Sequence, residues 1–202
     1  MIDELNYVEL NKSHVSKSVL KQFDCGNNDL TNYLIKDAYT DCKDGNGVTY
    51  ILINKNEYEN GNIKFIYAYT TIRAHALNYY ENAGKYHTDK ADKNGNVLSC
   101  ISSVEIKLFA IDKAFKHQKP WDKDNYYSTI FFKLLLEKLY YMSMDTIDYK
   151  IIFLRANEEG ENLYRRVKFD DCTEYIVTYD ESAERCKPLF LSLKKLEYVL
   201  YT

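Results

Sequence analysis

Apolar and polar positions alternate along the chain in segments that predict helices and strands in mixed order. The N-terminal part begins with a short strand over 6–11, followed by a helix over 13–23 with Ser13 as its N-cap. A Cys-Gly-Asn-Asn break follows this helix. A second helix, capped by Asn27 or Asn28, then runs to about Asp41. Its apolar positions recur at helical spacing, at Leu30, Leu34, Ile35 and Ala38.

The middle of the chain has the pattern of an antiparallel hairpin. Val48–Asn54 is a β-rich run, the polar segment 56–62 is the turn, and 63–77 is a longer strand. The polar segment 78–96 is interpreted as a surface loop with a helical start at Tyr79. The strand over 101–111 is mostly apolar, which suits a strand covered on both faces.

The C-terminal part continues with helices and strands in alternation. The segment 126–144 is apolar around most of its circumference and predicts a helix packed against the sheet. A buried strand over 150–157 follows, and Asn157 caps the next helix, which contains Tyr164. Two further strands, 174–179 and 188–193, are expected to pair across a polar loop. These elements predict one mixed α/β domain over residues 1–202.

Composition and charge narrow the class of protein. The chain has 202 residues, 46% of them hydrophobic, which is ample for one core, and its net charge of −3 argues against a general nucleic-acid coat. No segment of about twenty apolar residues is present, so no membrane span is expected. The histidines show no ligand spacing, so no metal site is expected. Five single cysteines without a CxxC pair favour free thiols and a cytoplasmic location: Cys25, Cys42, Cys100, Cys172 and Cys186.

Three segments of the chain resemble motifs of a known superfamily. The segment 23–38, FDCGNNDLTNYLIKDA, is similar to an opening F-x-C-G-x-x-x-L-x-x-Y-L. The segment 104–112, VEIKLFAID, is similar to L-x-R-L-A-V-D, and the segment 161–169, ENLYRRVKF, is similar to A-x-x-F-Y-x-x-x-G-F. With these three motifs in this order, the chain resembles the GNAT acyl-CoA N-acyltransferases, in particular the branch that contains tRNA-acetylating toxins and small relatives.

The resemblance implies a fold and a cofactor. The fold is a mostly antiparallel sheet, splayed at its centre and flanked by helices, and the cosubstrate is acetyl-CoA. Its pantetheine arm is expected along the strand at Leu108, Phe109, Ala110 and Ile111, in the manner of an added strand. A backbone N–H near Leu108 or Phe109 would polarise the thioester carbonyl. Asn157 would contact the arm from the opposite wall, although a helix cap alone also explains this residue.

The catalytic groups that the resemblance implies are an acid and a base. Tyr164 matches the tyrosine that protonates the departing CoA thiolate, because a phenol with a pKa of about 10 keeps its proton at neutral pH. Glu105 is the candidate base, and it lies on the same strand face as Ser103 and Lys107. An ion pair with Lys107 is the alternative role of Glu105.

The phosphate loop departs from the family pattern. The family has Arg/Gln-x-x-Gly-x-Gly/Ala, whereas Lys116, His117 and Gln118 here precede Lys119-Pro120-Trp121, and Pro120 lacks a backbone donor. One interpretation is a longer loop in which the helix start at Tyr126, Tyr127, Ser128 and Thr129 supplies N–H groups to the phosphates, with positive charge from the lysines. The other is weakened or lost cofactor binding.

Three functions follow from these alternatives. The first is an acetyltransferase that moves the acetyl group of acetyl-CoA to a primary amine of a small molecule, protein or aminoacyl-tRNA. The second is a GNAT-fold module without strong catalysis that acts through protein contacts, for instance as a homodimer. The third is a toxin that acetylates aminoacyl-tRNA.

Overall fold

The computed structural model describes residues 2–82, 92–121, 124–174 and 186–201, which form two compact units. Unit 1 contains Met1–Arg73 and Ile106–Met142, and unit 2 contains Ala74–Glu105 and Ser143–Thr202. The strands are β1 (Leu5–Glu9), β2 (Val48–Asn54), β3 (Ala68–Asn82), β4 (Asn96–Ile111), β5 (Ile151–Ala156), β6 (Asp170–Asp171) and β7 (Lys187–Ser192). The helices are α1 (Lys17–Gln22), α2 (Asn28–Asn32), α3 (Ala38–Lys43), α4 (Lys55–Glu59), α5 (Tyr127–Asp145), α6 (Glu158–Arg166) and α7 (Leu193–Tyr201).

The sheet is mixed and mostly antiparallel, as predicted. Its strand order is β1-β2-β3-β4-β5-β7-β6, and the long strands β3 and β4 contribute residues to both units. The pairs β1–β2, β2–β3, β5–β7 and β6–β7 are all antiparallel. The splay of the sheet and the single-domain organisation of residues 1–202 stay predictions.

Unit 1 has a helical layer on each face of its sheet. On one face, Val8, Ile51 and Tyr69 pack with Phe23 and Leu34 of the N-terminal helical segment. On the other face, Tyr7 donates to the carbonyl of Phe131 in α5 at 3.2 Å, and Phe109 meets Phe132 edge to face at 4.9 Å. Strand alternation explains the division, because neighbouring residues such as Tyr7 and Val8 point to opposite faces.

Unit 2 is built around the far ends of β3 and β4. The Lys150 N–H donates to the Ser102 carbonyl at 3.0 Å and joins β4 to the start of β5. Phe153 of β5 lies opposite Phe190 of β7 in the antiparallel register. One hydrophobic cluster of the unit contains the buried residues Leu77, Ile151, Phe153 and Cys172, with the partly buried Ile101 and Phe190 packed against them.

The first two helices differ in detail from their prediction. The cap of α1 is Ser16, which accepts from the Val19 N–H at 3.3 Å, so the prediction of Ser13 as the cap was wrong. Ser13 instead donates to the Leu10 carbonyl in a preceding 3₁₀ turn. Asn27 caps α2 by accepting from two backbone N–H groups, one of the two predicted caps. A π-helical turn over Tyr33–Asp37 connects α2 to α3.

The hairpin region is shifted along the chain. The predicted turn contains α4, which is capped by Asn54, and β3 begins at Ala68 instead of residue 63. Residues 78–82 belong to β3, so the expected helical start at Tyr79 was wrong. The physical reason is that residues 78–82 run beside the start of β4, where the Ser99 hydroxyl donates to the Glu81 carboxylate, a partner that the local pattern does not mark. In the rest of the predicted surface loop, residues 83–91 lie outside the described residues, and 92–95 form a turn closed by a hydrogen bond from the Asp92 N–H to the Asn96 carbonyl. The strand β4 begins at Asn96, five residues before its predicted start.

The C-terminal end of the chain also differs from its prediction. The helix α7 was not predicted. In the structure Leu196 of this helix is fully buried, and the Leu193 N–H at its start donates to the Lys150 carbonyl. The predicted strand 174–179 lies almost entirely outside the described residues, and β7 pairs with β5 and β6. No helix within the described ranges is long and apolar enough to cross a membrane.

Replacement of Phe131 by alanine tests the layer between α5 and the sheet. The Phe131 ring is fully buried and packs against Tyr67, Phe115 and Tyr127, with centroids 5.5–6.1 Å apart. We expect Phe131→Ala to lower the free energy of unfolding by about 3–5 kcal/mol, measured by urea denaturation. Tyr141→Ala on the same helix removes a half-exposed ring and should cost clearly less. Equal losses in the two variants would contradict this packing.

Candidate active site

The strand β4 has an irregularity at Lys107 and Leu108. The Lys107 ammonium pairs with Asp41 at 2.8 Å and lies 5.6 Å from the centre of the Tyr33 ring. Leu108 packs against the same core cluster as Tyr33, while Phe109 faces α5. Two consecutive residues therefore face one side of the sheet, which is the signature of a β-bulge.

The bulge lies at the residues predicted to receive the pantetheine arm. The Leu108 carbonyl accepts a hydrogen bond from the Thr70 hydroxyl at 2.9 Å. Ala110 and Ile111, the next members of the predicted cofactor strand, are buried. A bulge leaves main-chain groups outside the regular ladder, and such groups are what a thioester carbonyl or a pantetheine amide requires.

The segment 112–121 after β4 contains no glycine and is held by side-chain contacts. The Asp112 carboxylate accepts from the backbone N–H groups of Ala114 and Asp24 and so joins the loop to the N-terminal segment. The Phe115 ring anchors the loop in an aromatic cluster with Phe65, Tyr67, Tyr127 and Phe131. This loop is therefore built by packing, whereas the family pattern relies on small residues.

Four backbone donors near the predicted phosphate site are already engaged. The N–H groups of Lys116 and Gln118 donate to carbonyls within the loop, and the Tyr127 N–H donates to the Gln118 carbonyl at 3.0 Å. The Thr129 N–H donates to the Tyr126 carbonyl at 3.0 Å. The expectation that Tyr127 and Thr129 would offer backbone donors to phosphates is therefore not supported.

Side chains remain as candidate phosphate ligands in unit 1. His117 is exposed and has a left-handed backbone (φ 57°), and the Lys119 ammonium lies 4.9 Å from the centre of the Tyr126 ring. In the first turn of α5, Ser128 is half-buried, and the buried Thr129 hydroxyl has no hydrogen-bond partner among the described residues. Cationic side chains and an unsatisfied hydroxyl at a helix start suit an anionic cofactor.

Tyr164 lies on α6 of unit 2, two turns from its start. Asn157 caps this helix through a 2.8 Å hydrogen bond from the Gly160 N–H, so the predicted cap is confirmed. The Tyr164 ring is half-buried beside Phe169, with centroids 6.1 Å apart. Burial raises the pKa of the Tyr164 phenol, so it stays protonated at neutral pH, as a general acid must.

Gly160 makes room for this arrangement. A Cβ at Gly160 would come within 2.9 Å of the Tyr164 ring and 3.0 Å of the Asn157 side-chain oxygen. Sequence reasoning did not single out Gly160. The signal was a glycine inside a helix, where it costs about 0.5–1 kcal/mol relative to alanine and so calls for a packing reason.

An ion-pair network fixes α6 to the strands of unit 2. Glu161 pairs with Arg165 and Lys187 at 3.3 and 2.9 Å, and Asp171 pairs with the same two cations at 3.1 and 3.3 Å. Hydrogen bonds from Thr173, together with Lys187, lower the pKa of the Asp171 carboxyl to about 2. Arg165 is thus part of a structural network on the helix that carries Tyr164.

Glu105, the predicted base, is the last residue of unit 2 on β4 and is buried. Lys107, its predicted alternative partner, forms an ion pair with Asp41. Within the described part of the chain, no group of three or more His, Cys, Asp or Glu side chains is arranged to hold a metal ion. The roles of all these residues stay predictions.

The arrangement of the strands and helices corresponds to the GNAT fold, as the resemblance predicted. No protein-family model and no curated protein sequence matches the chain. Solved structures do match it, and the likeness at these identities is one of fold. A tyrosine-to-phenylalanine mutant of the toxin AtaT matches at 19% identity and a TM-score of 0.68, over 99% of this chain and 95% of that one.

Two further matches contain ligands. The AtaT mutant bound to the C-terminus of the antitoxin AtaR and acetyl-CoA matches at 18% identity and a TM-score of 0.62, over 99% of this chain and 100% of the other. AtaT complexed with acetyl-methionyl-tRNAfMet matches at 21% identity and a TM-score of 0.63, over 98% and 99% of the two chains.

Substitution of Gly160 by alanine tests the space reserved for Tyr164. A glycine-to-alanine change inside a helix normally stabilises a protein by about 0.5–1 kcal/mol. Here we expect a loss of about 1–3 kcal/mol, measured by thermal denaturation, because the new methyl group overlaps the Tyr164 ring. Asn162→Ala, at an exposed position of the same helix, is the control. If Gly160→Ala is at least as stable as the wild type, the close contact does not exist.

The Asp171 network predicts a pH dependence of stability. Because the folded-state pKa is about 2 and the unfolded value is about 3.9, the stabilisation is present above pH 4 and is lost as pH falls towards 2. We expect Asp171→Asn to lower stability at pH 7 and to flatten the stability curve between pH 4 and 2. Asp148→Asn, an exposed carboxylate of the same unit, should leave that slope in place. An unchanged slope in Asp171→Asn would refute the assignment.

Proposed function

We propose that the chain is an N-acetyltransferase that moves the acetyl group of acetyl-CoA to a primary amine by direct attack. The observation that carries this proposal is the likeness of fold over 99% of the chain to a toxin bound to acetyl-CoA. The bulge in β4 and the protonated, half-buried Tyr164 support it, since both are features that thioester aminolysis can use.

The proposed chemistry assigns a role to each element. A main-chain N–H at Leu108 or Phe109 polarises the thioester carbonyl, and the acceptor amine attacks the carbonyl carbon. The carbon–sulfur bond breaks, Tyr164 donates its proton to the departing thiolate, and Glu105 is the candidate acceptor for the proton of the amine. In this proposal Asn157 contacts the pantetheine arm through its side-chain amide, because its oxygen already caps α6.

The phosphates of acetyl-CoA are assigned to side chains near the start of α5. Lys116, His117 and Ser128 are proposed to bind them through their side chains, because the N–H groups of Lys116, Gln118, Tyr127 and Thr129 are engaged within the protein. The Lys116 ammonium attracts phosphate as a point charge, and the imidazole and hydroxyl add hydrogen bonds, although less specifically than a cradle of backbone amides. The expected affinity therefore depends on ionic strength.

The acceptor that we propose is the α-amino group of an aminoacyl-tRNA. The AtaT complex with acetyl-methionyl-tRNAfMet supports this choice over a small amine or a protein. The net charge of −3 implies that any contact with RNA is local and not a coat of positive charge. By the same comparison, a protein antitoxin is a candidate partner. A homodimer and a cytoplasmic location stay predictions.

A catalytically weak module that acts through protein contacts is the second candidate. The engaged backbone donors of the loop and the missing donor of Pro120 favour it. Failure of the protein to bind acetyl-CoA would support this candidate against the transferase.

The central experiment compares wild-type protein with Tyr164→Phe. We expect calorimetry to show acetyl-CoA binding in both, and the rate of acetyl transfer to an aminoacyl-tRNA to fall about 10²–10⁴-fold in the variant, because the leaving thiolate loses its acid. Tyr198→Phe, which alters an exposed ring on α7, is the matched control and should keep the wild-type rate. An unchanged rate in Tyr164→Phe would exclude the acid role, and no binding by wild-type protein would exclude the transferase.

A further inference from the structure

Trp121 is the most exposed large hydrophobic side chain among the described residues. Its exposed fraction is 98%, whereas the other exposed large hydrophobic side chains lie between 49% and 68%. It is also the only tryptophan of the chain. Tryptophan has a large, flat apolar ring and is enriched where proteins bind their partners. Both faces of the ring are therefore open to a ligand.

The backbone that carries this ring is held by packing. Pro120, the preceding residue, is buried, and its own ring fixes its φ angle. Two residues earlier, the Gln118 carbonyl accepts a hydrogen bond from the Tyr127 N–H at 3.0 Å, which ties the segment to the start of α5. The exposure of Trp121 is thus a property of an anchored segment, in which the proline points inward and the indole points outward.

Trp121 lies close to the side chains that are proposed to bind phosphate. Three Cα–Cα steps of about 3.8 Å place its Cα within about 11 Å of the Cα of Gln118. Lys116 and His117 directly precede Gln118, and the exposed Lys119 follows it. All of these residues belong to unit 1. An open aromatic ring and several cationic side chains are therefore grouped at the start of α5.

We propose that Trp121 stacks on the adenine base of acetyl-CoA. This inference rests on the proposed acetyltransferase function. The adenine of coenzyme A is joined to its diphosphate through a single ribose, so the base must lie beside the residues that bind the phosphates. Aromatic stacking of a base, combined with positive charge for the backbone phosphates, is how proteins hold nucleotides without reading the edge of the base.

The charge around the ring suits a single nucleotide. The segment 113–121 contains three lysines and no acidic residue, and acidic residues follow at 122 and 124, which limits the run of positive charge. Lys113 pairs with Asp24 at 2.6 Å, so the cations assigned to the nucleotide are Lys116 and Lys119. An extended RNA strand requires a longer positively charged groove, and the net charge of the chain is −3.

Calorimetric titration of Trp121→Ala with acetyl-CoA tests the stacking. We expect the dissociation constant to rise about 5- to 150-fold, the range that loss of one base–aromatic stack produces, and Trp121→Phe to recover most of the affinity. Because the ring is fully exposed, the variant should be as stable as the wild type. Tyr201→Ala removes an exposed ring on α7 and should leave the dissociation constant unchanged. An unchanged constant in Trp121→Ala would refute the proposal.

The single tryptophan also reports on its own ligand through its fluorescence. We expect adenosine 3′,5′-bisphosphate and acetyl-CoA to quench the emission of the wild type, and S-acetylpantetheine, which lacks the nucleotide, to leave it unchanged. Quenching by an RNA oligonucleotide but not by adenosine 3′,5′-bisphosphate would overturn the proposal and assign Trp121 to the acceptor.

Steady-state kinetics separate this inference from the proposed function. We expect Trp121→Ala to raise KM for acetyl-CoA with an unchanged kcat, because a contact remote from the thioester is made equally in the ground state and the transition state. With S-acetylpantetheine as donor, the two proteins should not differ. Transfer by Trp121→Ala with the wild-type KM refutes the stacking and leaves the transferase in place. A wild type whose fluorescence is quenched by adenosine 3′,5′-bisphosphate but which transfers no acetyl group refutes the transferase alone, and one that binds neither ligand refutes both.

Discussion

The strand β4 is the element on which the rest of the structure depends. Its 16 residues begin in unit 2 and end in unit 1, and the boundary falls between Glu105 and Ile106. In its first half, Ser103 bonds to His75, and in its second half Leu108 bonds to Thr70, so β3 follows it in the antiparallel direction. Glu105, the proposed proton acceptor, and Leu108, a proposed donor to the thioester carbonyl, thus lie on the same strand.

The bulge in this strand depends on the helices above it. Lys107 is held by Asp41 of α3 and by the ring of Tyr33, and the Tyr33 hydroxyl also donates to Asp41 at 2.8 Å. The Lys107 ammonium lowers the pKa of the Asp41 carboxyl, so the pair stays charged at neutral pH. The N-terminal segment therefore supports the site through this pair and through the contact of Asp24 with Asp112.

The sequence predicted the order of most elements because strand and helix periodicity is local. β2, α5 and β5 lie within one or two residues of their expected ends. The ends of β3 were wrong because they depend on distant partners, Leu52 of β2 at the start and Ser99 of β4 near the end. The helix α7 was missed because its burial depends on Leu196, which the local pattern alone does not mark as a core residue.

The candidate site was predictable only where a motif names a residue. Tyr164 and Asn157 follow from the helix pattern and the resemblance, whereas the Lys107–Asp41 pair joins residues 66 positions apart and has no signal in a single sequence. The glycine-free loop was recognised as unusual. The loop is held by the Phe115 ring, and its contacts could not be predicted because they depend on rings elsewhere in the chain: Phe65, Tyr67, Tyr127 and Phe131.

Hydrogen–deuterium exchange of the backbone amides with and without acetyl-CoA tests the central claim most directly. If the cosubstrate adds to β4 as a strand would, the amides of residues 108–111 become protected when it binds, while those of β1 at the far edge of the sheet do not change. Unchanged exchange along β4 at saturating acetyl-CoA would contradict the account, whatever the affinity.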